Sequence, residues 1–454
     1  MPIVQSMEKF MFKCLSKSNK VIKNHRLKYN LKGDFFMKKI RKAKIIYILL
    51  IIIIVFSNFY IVLADDEEEE EEIEFNWEEE IIQTAAKSSN EPKINSRAAI
   101  VFDRNSKKVI YEKNSNQKKA MASTTKIMTS LIVIEKAKLS DVVTVSKKAA
   151  GTGGSRLDLK TGDKVTVRDL LYGLMLRSGN DSAVALAEYV GGSVRGFADL
   201  MNQKAKELNL NSTNFVTPHG LDDNNHYTTA YELARLTDYA LQNKTFCNIV
   251  ATKNCTITIN GCAKSLNNTN ELLGNLNGVY GVKTGFTNNA GRCLVTSIKR
   301  GDLDLICVVL GADTKKQRTQ DSIQLIEYSF KNYEMVDLQS KIEKEFAEFK
   351  EQIEKKIFVN KGKEKQVEIS LEQLENSKIP LQKGLKDTIY VKFDCNQYYE
   401  APLEANKEIG KMEIYINNQK EIELKIYNQN EIEKKTIKDY FLELLESYKR
   451  LSIN

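Results

Sequence analysis

The chain is poor in the residues that metal and redox chemistry need. Only three of its 454 residues are histidine, and two of these, His219 and His226, fall in the part expected to fold. The seven cysteines (14, 247, 255, 262, 293, 307 and 395) include no C-x-x-C pair, and no histidine cluster stands near any of them. Neither a zinc site nor a dithiol redox centre is legible, and no metal or cofactor is expected. Cys293 and Cys307 lie in apolar runs and read as buried, inert thiols; Cys255 and Cys262 are the pair open to a disulfide if the chain is exported. A basic folded body is also missing. The net charge is +8, but residues 1–44 carry 13 Lys/Arg against two acids and residues 45–64 carry no charge, so residues 65–454 are left at −3, the difference between +8 and +11. Nucleic-acid binding needs a positive folded face, and this chain offers none.

What is present begins with an export pattern. Lys38, Lys39, Arg41, Lys42 and Lys44 follow Met37, an unbroken apolar run spans 45–56, and Val62 and Ala64 suit the −3 and −1 positions of a cleavage site. The alternative is an uncleaved anchor, because residues 45–64 match the ~20 residues a bilayer requires. Either way the rest lies outside the cytoplasm. Residues 1–36 form a basic extension, and Met37 is the expected natural start. Eight consecutive acids, Asp65 to Glu72, open a charged linker to residue 96 that self-repels and reads as a spacer.

Three motifs then follow in order: Ser123-Thr124-Thr125-Lys126, Ser178-Gly179-Asn180 and Lys283-Thr284-Gly285. Each recurs by chance. Ser6/Lys9 and Ser115/Lys118 repeat the first, Ser88-Ser89-Asn90 and Ser212-Thr213-Asn214 the second, and Lys160-Thr161-Gly162 the third. Context separates them. Ser123 opens the apolar run 127–134, which reads as a buried helix, so a lysine three residues on shares its face. The bland alternative is an N-cap serine beside a snorkelling lysine. Ser115 sits among Asn114, Asn116, Gln117 and Lys118, a solvated loop. Lys160-Thr161-Gly162 reads as a turn into a capped helix, whereas Lys283-Thr284-Gly285 continues a strand pattern from Gly278.

The set resembles the motifs of the low-molecular-mass penicillin-binding proteins, the serine D-Ala-D-Ala carboxypeptidases of the peptidase S11 family, over about residues 96–333. Thr217-Pro218-His219-Gly220-Leu221 and His226-Tyr227-Thr228-Thr229-Ala230 resemble that family's connecting stretches. The resemblance implies an α+β (mixed α/β) fold of the serine β-lactamase/penicillin-binding-protein type, with a five-stranded antiparallel sheet flanked by a helical lobe. It implies that Ser123 is the acyl-ester nucleophile, Lys126 the general base and Ser178 the proton relay. Asn180 would hold the substrate amide, Lys283 would supply a second cation, and Thr284 would bind the terminal carboxylate. The backbone N–H groups of Ser123 and Phe286, next to Gly285, would form the oxyanion hole. A lysine base must be neutral, so burial and a neighbouring cation have to lower its pKa. His219 and His226 are read as structural. Thr269 stands before Asn270 where some relatives have arginine, which leaves the carboxylate clamp open.

The expected substrate is the peptidoglycan stem peptide ending in D-Ala-D-Ala, with β-lactams as covalent inhibitors. A class A β-lactamase is the first rival; it needs a deacylating glutamate, and Glu207-Leu208-Asn209-Leu210-Asn211 offers one that reads as solvated. A non-catalytic wall-binding protein and a transpeptidase are the others. The catalytic domain is expected over 97–333, a charged helical insertion over 334–356 and a small C-terminal β domain over 357–430. In the last of these, Tyr399-Glu400-Ala401-Pro402-Leu403 and Ile409-Gly410 resemble the family's C-terminal β-sandwich. A tail over 431–454 places Ile437, Phe441, Leu444, Leu445, Tyr448 and Leu451 on one stripe. That stripe fits either a membrane surface or the β domain.

Overall fold

A computed structural model describes residues 91–353, 356–374, 376–385 and 388–451. The export segment, the basic extension and most of the acidic linker lie outside the described residues, as do Cys14, Ser6/Lys9 and Ser88-Ser89-Asn90.

The sheet that carries the site is assembled from both ends of the first domain. Its strands are β1 (Ala98–Asp103), β2 (Val109–Lys113), β3 (Val279–Thr287), β4 (Gly291–Arg300) and β5 (Leu303–Ala312). They are antiparallel throughout, in the order β2-β1-β5-β4-β3. All six residues of β1 and all ten of β5 are buried, because the sheet is covered on both faces. Alternation divides their side chains. Ala98, Ile100, Phe102, Ile306, Val308 and Leu310 join the core of the helical lobe. Ala99, Val101, Leu305, Cys307 and Val309 meet Ile323, Leu325 and Ile326 of a helix over Lys315–Asn332 on the other face.

The lobe between β2 and β3 is built around α1 (Lys126–Lys136), whose first eight residues are all buried. A helix apolar on every side belongs in the middle of a core. Around it stand α2 (Val167–Leu176), α3 (Asn180–Gly191), α4 (Val194–Glu207) and α5 (Ala230–Ala240). Thr166, Ser193 and Thr229 cap three of these by accepting N–H bonds from the third residue on.

Beyond the sheet, the strand Tyr333–Asp337 pairs with Lys378–Gln382, and a four-stranded antiparallel sheet contains Ile389–Cys395, Glu408–Ile416 and Gln419–Asn428. The helix Gln339–Ile353 lays Phe346, Phe349 and Ile353 on this second core, with Phe349 stacked 4.0 Å from Phe393. A terminal helix, Ile437–Leu451, leaves Ile437, Phe441, Leu444 and Tyr448 exposed, with Ile437 at 90%. Its apolar stripe is thus not covered by the β domain. None of the described helices is long and apolar enough to cross a membrane.

The open question of the cysteine pair is resolved against a disulfide. Cys255 and Cys262 are both free thiols. They share one hairpin, but Cys262 faces Ile259 and Cys255 faces Leu266. Four strand positions, roughly 13 Å at about 3.3 Å per residue, separate those rungs, beyond the reach of a disulfide.

Candidate active site

The Ser123-Thr124-Thr125-Lys126 motif sits at a junction. Residues Ala122–Thr125 make one 3-10 turn that runs into α1, so Ser123 and Lys126 lie on the same side three residues apart. Lys126 Nζ is 2.8 Å from Ser123 Oγ, 2.7 Å from Asn180 Oδ1 and 2.9 Å from the His219 carbonyl oxygen. Three oxygen partners orient the amine, but none is a carboxylate. Lys126 is wholly buried, and its pKa is driven well below the usual lysine value, first by desolvation and then by the charge of Lys283.

Asn180 is held on two sides. Its Oδ1 accepts from Lys126, while its Nδ2 donates to the Gly153 carbonyl at 2.7 Å. The neighbouring Asp181, fully buried, accepts N–H bonds from Leu157, Leu159 and Ser182 and so fixes the 153–159 loop against the start of α3. Sequence reasoning passed over Asp181. A charged residue between Asn180 and the apolar run of α3 was the available signal.

Lys283 and Thr284 lie on β3 with Gly285, in register with Val295, Leu294 and Cys293 of β4. Lys283 is buried, and its Nζ donates to the Thr284 carbonyl at 2.9 Å. Desolvation, with the nearby Arg318 guanidinium, brings its pKa down to about 7. Arg318, itself buried and paired with Glu271 at 3.3 Å, carried no sequence signal; it lies 35 positions after Lys283 and is brought in by the helix behind the sheet. Gly285 permits the strand to approach the nucleophile turn. A Cβ there would stand 2.9 Å from Ser123 N and 3.1 Å from Thr124 N. Gly220, at φ +90°, is tighter still, since a Cβ would fall 1.9 Å from the Ala122 carbonyl oxygen. The ring of Phe286 carries the Arg292 guanidinium 3.8 Å from its centre. Thr284 Oγ1 meets Thr269 Oγ1 at 2.7 Å.

The structure does not join Ser178 to the others by a hydrogen bond. Its backbone is left-handed, φ +60°, and its buried Oγ has no hydrogen-bond partner. It stands two residues from Asn180, an unsatisfied hydroxyl at the edge of the site.

Both histidines are tied into the loops around the Ala122–Thr125 turn by hydrogen bonds. His226 Nδ1 accepts the Val216 N–H at 2.9 Å, so its Nε2–H donates to Thr125 Oγ1 at 2.8 Å, and Thr125 Oγ1 donates to the Ala122 carbonyl at 2.7 Å. His219 Nδ1 accepts from Leu221 N. Burial lowers His219 to about 3 and His226 to about 4, so both rings are neutral at physiological pH. Glu207 ends α4 exposed and paired with Lys204 at 3.0 Å, in solvent as read. Lys160-Thr161-Gly162 forms a turn before the short strand Lys164–Thr166.

The geometry is matched by sequence kinship. The family model described as D-alanyl-D-alanine carboxypeptidase fits residues 85–314, half of the chain, and carries all three motifs. The chain belongs to this family. The model for the C-terminal domain of penicillin-binding protein 5 fits residues 344–434. Among family members, D-alanyl-D-alanine carboxypeptidase DacF of Bacillus subtilis is 35% identical over 353 residues, 72% of this chain and 88% of that protein. Of solved structures, penicillin-binding protein 5 from Haemophilus influenzae aligns with a TM-score of 0.63 at 29% identity, over 76% of this chain and 99% of that one. The Streptomyces K15 DD-transpeptidase aligns at 0.51 and 33%, over 53% and 99%. The mixed α/β fold with its added β domain is therefore the penicillin-binding-protein fold expected.

Proposed function

We propose that the chain is a serine-type D-Ala-D-Ala carboxypeptidase that removes the terminal D-alanine from peptidoglycan stem peptides. The observation carrying this is the 2.8 Å contact between Ser123 Oγ and the buried, carboxylate-free amine of Lys126. Neutral Lys126 takes the Ser123 proton as Oγ attacks the penultimate D-Ala carbonyl. The tetrahedral oxyanion is held by the N–H groups of Ser123 and Phe286. Ser178 passes a proton to the departing amine, the C–N bond breaks, and D-alanine leaves. Water then hydrolyses the Ser123 ester. Asn180 aligns the substrate amide, while Lys283 and Thr284, on the strand that Gly285 brings close, receive the terminal carboxylate. A β-lactam presents its carbonyl and carboxylate in the same way and acylates the same serine.

The test is incubation with a pentapeptide ending in D-Ala-D-Ala and assay of free D-alanine, beside labelling by fluorescent penicillin. No release and no labelling would overturn the reading. The likeness to a DD-transpeptidase supports a second acceptor: adding an amine acceptor tests whether it competes with water for the acyl group.

The division into a catalytic domain (97–333), a charged segment (334–356) that opens as the strand Tyr333–Asp337 and becomes helical only over Gln339–Ile353, a β domain (357–430) and an amphipathic tail (431–454) belongs to the same proposal. So does an extracytoplasmic location, on the export pattern before Asp65. The exposed stripe of the terminal helix supports contact with a membrane surface, testable by flotation with vesicles before and after truncation at residue 436.

A further inference from the structure

A second site lies in the C-terminal domain, where a groove of about 590 Å³ opens between the parallel strands Phe358–Asn360 and Tyr398–Glu400 and the segment leading into the terminal helix. Its floor is preformed. Lys435 N donates to the Lys361 carbonyl at 2.8 Å and Lys363 N to the Glu433 carbonyl at 2.9 Å, which ties that segment to the first strand.

Two features of the wall define its chemistry. The first is an aromatic platform: Phe358 and Tyr398 are paired in register, their rings 6.1 Å apart at 25°, and they are exposed at 44% and 72%. Large rings left this open mark a contact surface. The second is a balanced set of polar groups. Glu400 accepts from Asn360 Nδ2 at 2.7 Å and Lys361 Nζ at 3.2 Å, and Lys435 is paired with Glu443. Lys365 is the lining lysine with no ion pair among the described residues. The lining holds three lysines and one glutamate, Glu400, while Glu443 meets Lys435 from outside the lining. Two of the three lining lysines are already paired with carboxylates, and Glu400 in the wall repels a phosphate headgroup. A sugar meets no such repulsion. Its C–H face packs on an aromatic ring, and its hydroxyls both donate to Glu400 and accept from lysine N–H groups.

We propose that this groove binds the glycan strand of the polymer, an acetamido polysaccharide with sparse carboxylates, and so tethers the enzyme to the chain that bears its stem peptides. The inference rests on the carboxypeptidase reading for the identity of that polymer. Bound there, the catalytic domain sees tethered stem peptides at a raised effective concentration.

The test compares the full chain with its Phe358→Ala/Tyr398→Ala variant and with Lys365→Glu, the last a single exposed change that leaves the platform intact. Glycan strands stripped of stem peptides by an amidase serve as the binding probe, and vesicles rich in anionic lipid as the rival. The expected result is loss of co-sedimentation with stripped glycan in the double variant. Release of D-alanine from intact polymer then falls about tenfold through KM, while cleavage of a short soluble pentapeptide stays within about twofold. Equal glycan binding by parent and both variants overturns the proposal, as does vesicle binding that depends on Phe358 and Tyr398 while stripped glycan is ignored. If soluble pentapeptide is not cleaved but stripped glycan is bound through these rings, the carboxypeptidase reading fails and the groove stands.

Discussion

In the catalytic half, Lys126 and Lys283 are buried with only neutral oxygen partners, and both have pKa values pushed down. In the β domain, Lys411, Lys420 and Lys425 stand at the surface across from Glu423, Glu413 and Glu408, and all three are pushed up by those carboxylates. One side chain type thus serves opposite ends. Burial without a directly bonded carboxylate makes an amine that can accept a proton; exposure beside a carboxylate makes a permanent cation. The fold decides between them, because among the described residues only α1 and β3 carry a lysine into a core.

The largest effects follow from removing the reacting pair. Ser123→Ala abolishes penicillin labelling and lowers peptide turnover by about 10⁴-fold or more. Lys126→Arg keeps a cation but cannot accept a proton, so acylation falls by roughly 10³-fold. Stopped-flow acylation by a fluorescent β-lactam measures both. If Lys126→Arg acylates at the parental rate, the contrast drawn above is wrong at its root.

Ser178→Ala tests a hydroxyl that the fold leaves unsatisfied. Turnover should fall about 10²-fold, and because a buried orphan hydroxyl is removed, thermal stability should not drop. A loss of stability without a loss of turnover would make Ser178 structural.

Lys283 sharpens the comparison through pH. Its folded pKa of about 7 lies below the ordinary lysine value of 10.5. Between those values the unfolded chain holds a proton that the folded chain has released, so stability rises with pH across that window. The slope owed to Lys283 approaches about 1 kcal/mol per pH unit. Lys283→Met should flatten the urea-midpoint curve between pH 7 and 9, leaving the share that Lys126 contributes in the same direction. An unchanged slope would place the titration elsewhere.

How much of this was readable beforehand varies with range. Ser123 and Lys126 are one helical turn apart, so their contact follows from spacing alone. The apolar stretches at 98–103 and 303–310 carry a strand pattern in the sequence, and both lie in the sheet. The downstream Lys-Thr-Gly stood out because a strand pattern precedes it. What spacing could not show is whatever depends on distant segments meeting. Arg318 acts on Lys283 from the helix Lys315–Asn332, and the Asp181 staple links α3 to a loop more than 20 residues earlier. The state of Cys255 and Cys262 turned on hairpin register, which a count of intervening residues does not give.

Thr269 is a smaller test of the same site. Its hydroxyl lies 2.7 Å from that of Thr284, the group proposed above to receive the substrate carboxylate. Thr269→Val keeps the shape and removes the partner, a change worth about 1 kcal/mol, so KM should rise about fivefold with kcat unchanged. Equal KM values would show that Thr284 keeps its rotamer unaided.

The smallest effect is the control on the other side of the comparison. Lys420 is bonded to both Glu413 and Glu423 and has a strongly raised pKa, yet it is exposed. Water screens such pairs, and side-chain entropy offsets what Coulomb attraction remains. Lys420→Met should therefore leave the thermal midpoint and its salt dependence unchanged within measurement. Should that variant lose as much stability as Lys283→Met changes between pH 7 and 9, exposure would not be what separates the two sets of lysines. The surface ladder would then have to be counted as part of the structural core.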